Sequence, residues 1–518
     1  MATSVDDIDM ASTVWMIAST AFVFLMIPGL GYFYGGMVRS KNALSLVFLC
    51  MMALAVVTVQ WVIWGYSLAF SETSTNPFIG NMRHWLFLDV SYTPHPNAPK
   101  VPGVVFAVYQ CMFAALTPGL AIGGAAERIR VLPTIVYVFV WTTLVYDPIA
   151  YWVWAPNGWL FKLGVLDFAG GCAVETASGF AALAFYCVLG KRKGFGEEKW
   201  EPHNYLNIIL GCAFLYFGWF GFNAGAASLE SGRAGIAFMT TNVAAAAAGI
   251  TWVALAYRVE HKFSSFHFCS GAVAGMVCVT PAASLVSTWA AFPMGAIAAV
   301  CCYYMIEALL RLRIDDCIDV LAVHGIGGIL GVFLTGVFAN KKVIELDGVE
   351  SPGGLINGNA RQLYVQLAAL AASAAWSFVV SYIILRLMNC IPMFRFRVDP
   401  DAEEHGVDFA ELGEAGYSFM RDLARVYTEK ASLAPSNTPS FRDSISLQHP
   451  HERKPAIKGE PPQPVMSPGM ATATAATQSP APQEALPPEI QSQEALPQEA
   501  QPQEIQSPPE TAHTSHVQ

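Results

Sequence analysis

The sequence has few charged residues for its length. Asp, Glu, Lys and Arg make up 13% of its 518 residues, about half of the roughly 25% that is usual in soluble proteins. This scarcity excludes a soluble globular fold for most of the chain, and the 54% of hydrophobic side chains indicates a membrane protein. The net charge of −10 and the lack of a Lys- and Arg-rich stripe argue against a nucleic-acid-binding protein.

The sequence also lacks the patterns of metal sites, disulfides and secretory signals. The eleven cysteines include no CxxC pair, and because most lie in apolar runs we expect them to be buried and reduced. No metal or other cofactor is predicted. The first residues, MATSVDDIDM, are acidic, so the first apolar run is expected to remain as a membrane span.

Eleven stretches of about 20 mostly apolar residues are long enough to cross a bilayer as helices. They lie near residues 14–37, 43–70, 104–126, 132–154, 169–190, 205–227, 233–257, 266–285, 290–310, 320–339 and 363–388. Lys and Arg are concentrated in alternate loops, which indicates that these loops are cytosolic. The sequence therefore predicts an all-α integral membrane protein with eleven transmembrane helices, an outside N-terminus and a cytosolic C-terminus.

The first ten spans divide into two sets of five with weak sequence echoes. Glu175 and Gly179 of the fifth span match His324 and Gly328 of the tenth, and a Thr-Pro pair recurs in the third and eighth. Because five is odd, the two sets would be inverted in the bilayer. Inverted five-helix repeats plus a final helix are typical of transporters, with the pathway between the halves.

Glu175 and His324 are ionisable residues at membrane depth. Such residues are costly in lipid and are candidate functional groups; a purely structural pair is the alternative. Two polar groups are too few to replace the hydration shell of a cation, so a pore built around them favours a neutral molecule while the pair passes a proton. Asp167, just before the fifth span, is expected to cap that helix rather than to bind substrate.

Aromatic residues cluster near the predicted outer ends of the spans. Trp154 and Phe113 could present ring faces to a small cation, although aromatic residues also form plain interfacial belts. Trp219 and Phe222 lie deeper in the sixth span, where Phe222 could form a hydrophobic plug.

Seven segments, in order, resemble the Amt/Mep/Rh ammonium transporter family. They are FLMIPGLGYFYGGMVRSKN, FAALTPGLAIGGAAERIR, DFAGGCAVETASG, FGWFGFNAG, VTPA, DDCIDVLAVHGIGGILG and EEHGVDFAELGEAGY. The set covers residues 14–420, and an ordered set of this length is highly specific. The resemblance implies a homotrimer in the plasma membrane with one pore per subunit, which takes up ammonium and related methylammonium.

The resemblance also implies a role for each site residue. Ammonium would be recruited at an outer aromatic site and deprotonated, and ammonia would cross the pore while its proton follows the central pair. The roles fall on the outer site (Trp154, Phe113), the gate (Phe113, Phe222), the pore lining (Trp219), the vestibule carboxylate (Asp167) and the central pair (Glu175, His324).

Two positions depart from the common family pattern. Most members have His at both central positions, whereas this chain has Glu175 at the first and so resembles the fungal-type branch. Ala226 stands where many members place a Ser hydroxyl at the outer site, which implies that recruitment depends more on Trp154.

The C-terminal part is predicted to be cytosolic. We expect a short extracellular N-terminus at 1–13, a transporter domain at 14–390, an ordered segment at 391–429 and a disordered Pro- and Gln-rich tail at 430–518. Ser436, Ser440, Ser444 and Ser446 are candidate phosphorylation sites, which suggests a kinase or regulatory protein as partner.

Two other functions compete with transport. The first is an ammonium sensor or transceptor with low transport, which the long tail and Glu175 leave open. The second is an intramembrane enzyme that uses the Glu175 and His324 pair. Since no HExxH, GxSxG or P-loop pattern accompanies the pair, an enzyme is not predicted.

Overall fold

The structure is a computed structural model that describes residues 5–197, 201–227, 229 and 231–418. The predicted tail at 430–518, its four serines, and residues 419–429 of the predicted ordered segment lie outside the described residues.

Within the described residues, eleven helices are long and apolar enough to cross a membrane, which confirms the predicted number of spans. They are α1 (Met10–Met37), α2 (Ser40–Phe70), α3 (Gly103–Ala125), α4 (Val131–Leu163), α5 (Gly171–Leu189), α6 (Tyr205–Ala224), α7 (Arg233–Glu260), α8 (Ser265–Ala282), α9 (Thr288–Arg311), α10 (Leu321–Phe338) and α11 (Arg361–Asn389). Helix α4 extends nine residues beyond its predicted end because, after a break at 155–158, the chain forms one more helical turn at Trp159–Leu163.

A small hairpin is the one departure from the all-α prediction among the described residues. Strands β1 (Pro94–His95) and β2 (Ala98–Pro102) pair antiparallel between α2 and α3. Prolines at 94, 96, 99 and 102 have no N–H to donate and cannot continue a helix. Short helical turns complete the chain at Val5–Asp7, Trp85–Phe87, Lys341–Ile344, Glu345–Asp347, Leu355–Asn357, Pro392–Phe394, Pro400–His405 and Asp408–Leu412.

Glycines let the first helices of the two five-helix sets, α1 and α6, pack in close contact. A Cβ on Gly211 of α6 would overlap the backbone N of Phe33 in α1, and one on Gly29 of α1 would lie 2.7 Å from the Cβ of Phe214. Small residues at such crossings are the usual way for helices to associate in lipid, where the hydrophobic effect contributes little.

The fifth and tenth helices, α5 and α10, cross in the same manner. A Cβ on Gly179 would overlap the Cα of Gly325, and one on Gly328 would lie 2.9 Å from the Cβ of Glu175. Each helix also begins with a π-helical turn, Gly171–Thr176 in α5 and Leu321–Ile326 in α10. The residues that echo each other in sequence are therefore the ones that bring the two helices together.

The described part of the C-terminal segment, 391–418, crosses one face of the bundle, called here the C-terminal face. Asp408 accepts hydrogen bonds from two N–H groups at the start of α2, at 2.9 and 2.7 Å. Arg397 donates to the last carbonyl of α5 at 2.7 Å, and His203 Nε2 lies 2.8 Å from the Tyr417 hydroxyl. The segment thus links several helix ends. The opposite face, which carries residues 71–102, is called the N-terminal face.

The close α5–α10 crossing predicts that a methyl group added at Gly179 lowers the stability of the protein. Gly179→Ala places its Cβ against backbone, which cannot move aside as a side chain can, so we expect a loss of about 1–3 kcal/mol of stability or more. Thermal unfolding of the purified protein in detergent measures this. Gly235→Ala, at an exposed position of α7 with open space around it, is the control and should change the melting temperature little. Equal melting temperatures for the two variants would contradict the tight crossing.

Candidate functional site

A buried carboxylate and a buried imidazole meet where α5 and α10 cross. The Oε2 atom of Glu175 lies 2.7 Å from Nδ1 of His324, and the residues are 1% and 4% exposed. Both stand in the π-helical turns that begin their helices, and such turns are frequent at functional sites. The structure therefore brings together the two ionisable residues that the sequence singled out.

An aspartate precedes each of these helices and lies eight residues before its central residue, at Asp167 for Glu175 and at Asp316 for His324. Asp167 accepts hydrogen bonds from the N–H groups of residues 170–172, at 2.5–3.0 Å. Asp316 does the same for residues 320–322, at 2.9–3.1 Å. Asp167 lies toward the N-terminal face and Asp316 toward the C-terminal face, as an inverted pair of repeats requires.

Burial raises the pKa of both aspartate side chains. It raises the pKa of the Asp167 carboxyl, while the backbone N–H groups act in the opposite direction. Burial likewise raises the pKa of Asp316 to about 6, against hydrogen bonds from the Tyr186 hydroxyl and three backbone N–H groups. Since N–H donors at a helix start favour a negative charge, both carboxyl groups act as caps.

The sequence analysis missed Asp316. The sequence does contain a pattern that indicates Asp316, because the eight-residue spacing from Asp167 to Glu175 repeats from Asp316 to His324.

A narrow cavity adjoins the imidazole of the central pair. Its volume is about 10 Å³, the lower limit for holding one water molecule. Apolar side chains form most of its wall, and the lining comprises Met26, Leu30, Phe33, Tyr34, Leu116, Leu120, Leu215, Trp219, Val273 and His324. This wall offers almost nothing to coordinate a cation.

Two stacked phenylalanines lie on the N-terminal side of this cavity. The rings of Phe113 and Phe222 are 4.1 Å apart at their centroids and inclined by 20°. Phe113 precedes the cavity-lining Leu116 on the same helix, α3, by about one turn. The stack is therefore placed to close the cavity toward that face.

Trp154 completes the aromatic group on the N-terminal side. Its ring stands edge-on to Phe113, with centroids 6.3 Å apart, and its Nε1 donates to the carbonyl of Asp167 at 2.9 Å. The vestibule aspartate and the outer aromatic residues are thus one connected unit.

The two remaining predicted site residues differ in burial: Trp219 is buried and Ala226 is exposed. Trp219 lines the cavity and donates through Nε1 to the Thr280 hydroxyl at 2.8 Å. Ala226 is exposed, two residues beyond the end of α6, and has no hydroxyl to offer. Among the described residues, no group of three or more His, Cys, Asp or Glu side chains could hold a metal ion.

Chemically, the Glu175–His324 pair can share one proton, and the cavity beside it is apolar. A carboxylate beside an imidazole accepts a proton without leaving an unbalanced buried charge, while the apolar cavity excludes a cation that would lose its water.

Comparison with known proteins identifies the family of this chain. The model of the Ammonium Transporter Family matches residues 14–417. Ammonium transporter 2 of Schizosaccharomyces pombe is 46% identical over 420 residues, which is 80% of this chain and 82% of that protein. Ammonium transporter MEP2 of Saccharomyces cerevisiae is 42% identical over 453 residues, or 86% and 88% of the two chains.

A solved structure shows the same fold. The crystal structure of Candida albicans Mep2 superposes with a TM-score of 0.73 at 43% identity, covering 76% of this chain and 88% of that one. The resemblance seen in the sequence motifs is confirmed, and this multi-pass membrane protein belongs to the ammonium transporter family.

Proposed function

We propose that the chain is an ammonium uptake permease of the plasma membrane that conducts ammonia and a proton along separate routes. The observation that carries this proposal is the Glu175–His324 pair, buried at the crossing of α5 and α10 beside an apolar cavity. A pathway for the whole cation would need polar groups along its length. Here the cavity lining is apolar apart from His324, Tyr34 and Trp219, and the polar atoms of Tyr34 and Trp219 already donate to the Leu120 carbonyl and the Thr280 hydroxyl.

Recruitment takes place at the aromatic group on the N-terminal face, which we assign to the outside. Ring faces attract a small cation, and Trp154 and Phe113 stand at right angles with an interplanar angle of 89°. Because Ala226 contributes no hydroxyl, most of the attraction falls on Trp154. Asp167 positions the site rather than binding the cation. Its carboxylate oxygens accept N–H bonds at the start of α5, and its backbone carbonyl accepts the hydrogen bond from the indole of Trp154.

Deprotonation follows from the size and polarity of the passage beyond Phe113 and Phe222. Ammonium would have to shed its water to enter a cavity of about 10 Å³, and moving a bare charge into apolar surroundings costs many kcal/mol. Ammonia has no net charge and enters more easily. The proton left behind passes to the central pair, where His324 bonds to Glu175 through Nδ1 and lines the cavity.

Glu175 changes the electrostatics of this step compared with a pair of histidines. A carboxylate beside an imidazole makes the pair neutral overall once one proton is added, which lowers the cost of carrying the proton through the membrane.

The protein is proposed to assemble as a homotrimer with a pore in each subunit, and its C-terminal face is assigned to the cytosol. Residues 391–418 bond to the starts of α2 and α6 and to the end of α5, so a change in this segment can reach the pore helices. The serines at 436, 440, 444 and 446 are the proposed sites at which a kinase acts on the tail.

Glu175→Gln tests the proton route. Glutamine keeps the shape and a hydrogen bond to His324 but cannot carry the charge, so we expect a folded protein whose ammonium-evoked current is strongly reduced. The measurement is the transient current of proteoliposomes after an ammonium pulse. Glu307→Gln, an exposed glutamate near the end of α9, is the matched control and should keep the native current.

An unchanged current in Glu175→Gln would remove the proton-relay role. If the folded native protein gave no current at all, radiolabelled methylammonium flux would separate electroneutral conduction from the alternative of an ammonium sensor with low transport.

Trp154→Leu tests the outer site. Loss of the ring face should raise the half-saturation concentration for ammonium by roughly twofold to thirtyfold, with a smaller effect on the maximal current. Trp289→Leu, at a 60% exposed tryptophan of α9, controls for the loss of an indole at the same face. An unchanged half-saturation concentration in Trp154→Leu would show that recruitment does not use this ring.

A further inference from the structure

The segment 71–102 on the N-terminal face contains two buried histidines in opposite electrostatic settings. His84 has an acceptor at each ring nitrogen, since Nε2 lies 2.9 Å from Glu72 Oε2 and Nδ1 lies 3.2 Å from the carbonyl of Leu88. Two acceptors fit a doubly protonated ring. Burial is the largest single influence and opposes that charge, but the hydrogen bond to Glu72, the negative charge of Glu72 and the bond to the Leu88 carbonyl together raise the pKa of His84.

His95 has the reverse arrangement, with one donor and one acceptor around its ring. The backbone N–H of Asn97 donates to Nδ1 at 3.1 Å, while Nε2 lies 2.9 Å from the carbonyl of Phe70. These partners define a neutral ring that carries its proton on Nε2. A second proton would sit on Nδ1 and displace the Asn97 N–H, so protonation and this turn exclude each other.

Asn97 connects this turn to the outer aromatic site. Its Nδ2 donates to the backbone carbonyl of Trp154 at 2.7 Å, across 57 residues of sequence. Trp154 is the last helical residue before the break at 155–158 in α4. The carboxamide of Asn97 thus holds the backbone of the residue whose indole is held by Asp167.

The aromatic rings around His95 also connect it to Trp154. His95 stacks on Phe106 with centroids 4.9 Å apart, Phe106 contacts Phe70 at 5.2 Å, and Phe70 lies parallel to Trp154 at 6.3 Å. The indole of Trp154 therefore packs on one side against Phe70, whose carbonyl is the second partner of His95.

Few titratable groups face His95. Glu72 and His84 of the same segment act on it through their charges, in opposite directions, and Tyr66 of α2 lies with its ring 6.3 Å away. Phe106 of α3 does not titrate. Burial is the largest influence and lowers the pKa of His95 below its usual value, so the ring is neutral at neutral pH and gains its proton only in acid.

We propose that Asn97 and His95 are positioning residues for the outer ammonium site, and that His95 couples this positioning to external pH. With His95 neutral, the turn at residues 95–97 is formed and Asn97 holds Trp154 in place. With His95 protonated, the turn opens, Trp154 is released, and apparent affinity for ammonium falls. This inference rests on the proposed recruitment of ammonium at Trp154.

The test compares half-saturation concentrations for ammonium currents in proteoliposomes at about pH 7.5 and in steps down to about pH 5, toward the acid range in which His95 gains its proton. Asn97→Ala should raise the half-saturation concentration about twofold to tenfold at pH 7.5, with no further rise as the pH falls. The native protein should show high affinity at pH 7.5 and move toward the Asn97→Ala value as the pH falls.

His95→Asn separates the pH effect from the pore. Its side-chain oxygen can accept the Asn97 N–H but does not titrate, so the half-saturation concentration should stay near the native pH 7.5 value at both pH values. Any pH effect on maximal current from the central pair persists in this variant. Asn359→Ala is the control, because Asn359 makes the same kind of bond, from Nδ2 to the carbonyl of Gly353 at 2.8 Å, in the loop before α11 and not next to Trp154 in the chain.

The outcomes distinguish this inference from the function on which it rests. A raised half-saturation concentration in Trp154→Leu together with an unchanged one in Asn97→Ala overturns the positioning role alone. An unchanged value in both variants overturns recruitment at Trp154, and the inference with it. A native pH dependence that His95→Asn retains in full overturns the role of His95.

Discussion

A carboxylate and an imidazole that share one hydrogen bond inside an apolar bundle impose the main constraint on this structure. Either group alone would be costly to bury, so Glu175 and His324 must meet, and must meet at one depth. The glycines at 179 and 328 allow the backbones of α5 and α10 to cross closely enough. The aspartate at the start of each helix then fixes where that helix begins.

The inverted repeat explains why these features come in pairs. The α1–α6 packing, the α5–α10 crossing, the two π-helical turns and the two aspartate caps all relate one set of five helices to the other. The aromatic group breaks this symmetry. Trp154, Phe113 and Phe222 lie on the N-terminal side of the central pair, so the two ends of the proposed pore differ in chemistry even though the scaffold repeats.

Each face of the bundle is covered by a segment that reaches helix ends far away in sequence. On the C-terminal face, Asp408 bonds to the start of α2 across more than 360 residues. On the N-terminal face, Asn97 bonds to the carbonyl of Trp154, just before the break in α4. Connecting segments on both faces thus hold helices that carry the candidate site residues.

The sequence by itself determined the eleven spans, the inverted repeat and the central pair, because span length, loop charge and an ionisable residue in an apolar run are local properties. The family motifs extended this to the roles expected of Trp154, Phe113 and Phe222. Only the tertiary structure decided which atoms meet, as in the stacking of the phenylalanines and the bond from Asn97 to Trp154. Those contacts join residues distant along the chain, so no local pattern encodes them, and they depend on the path that the packed helices impose.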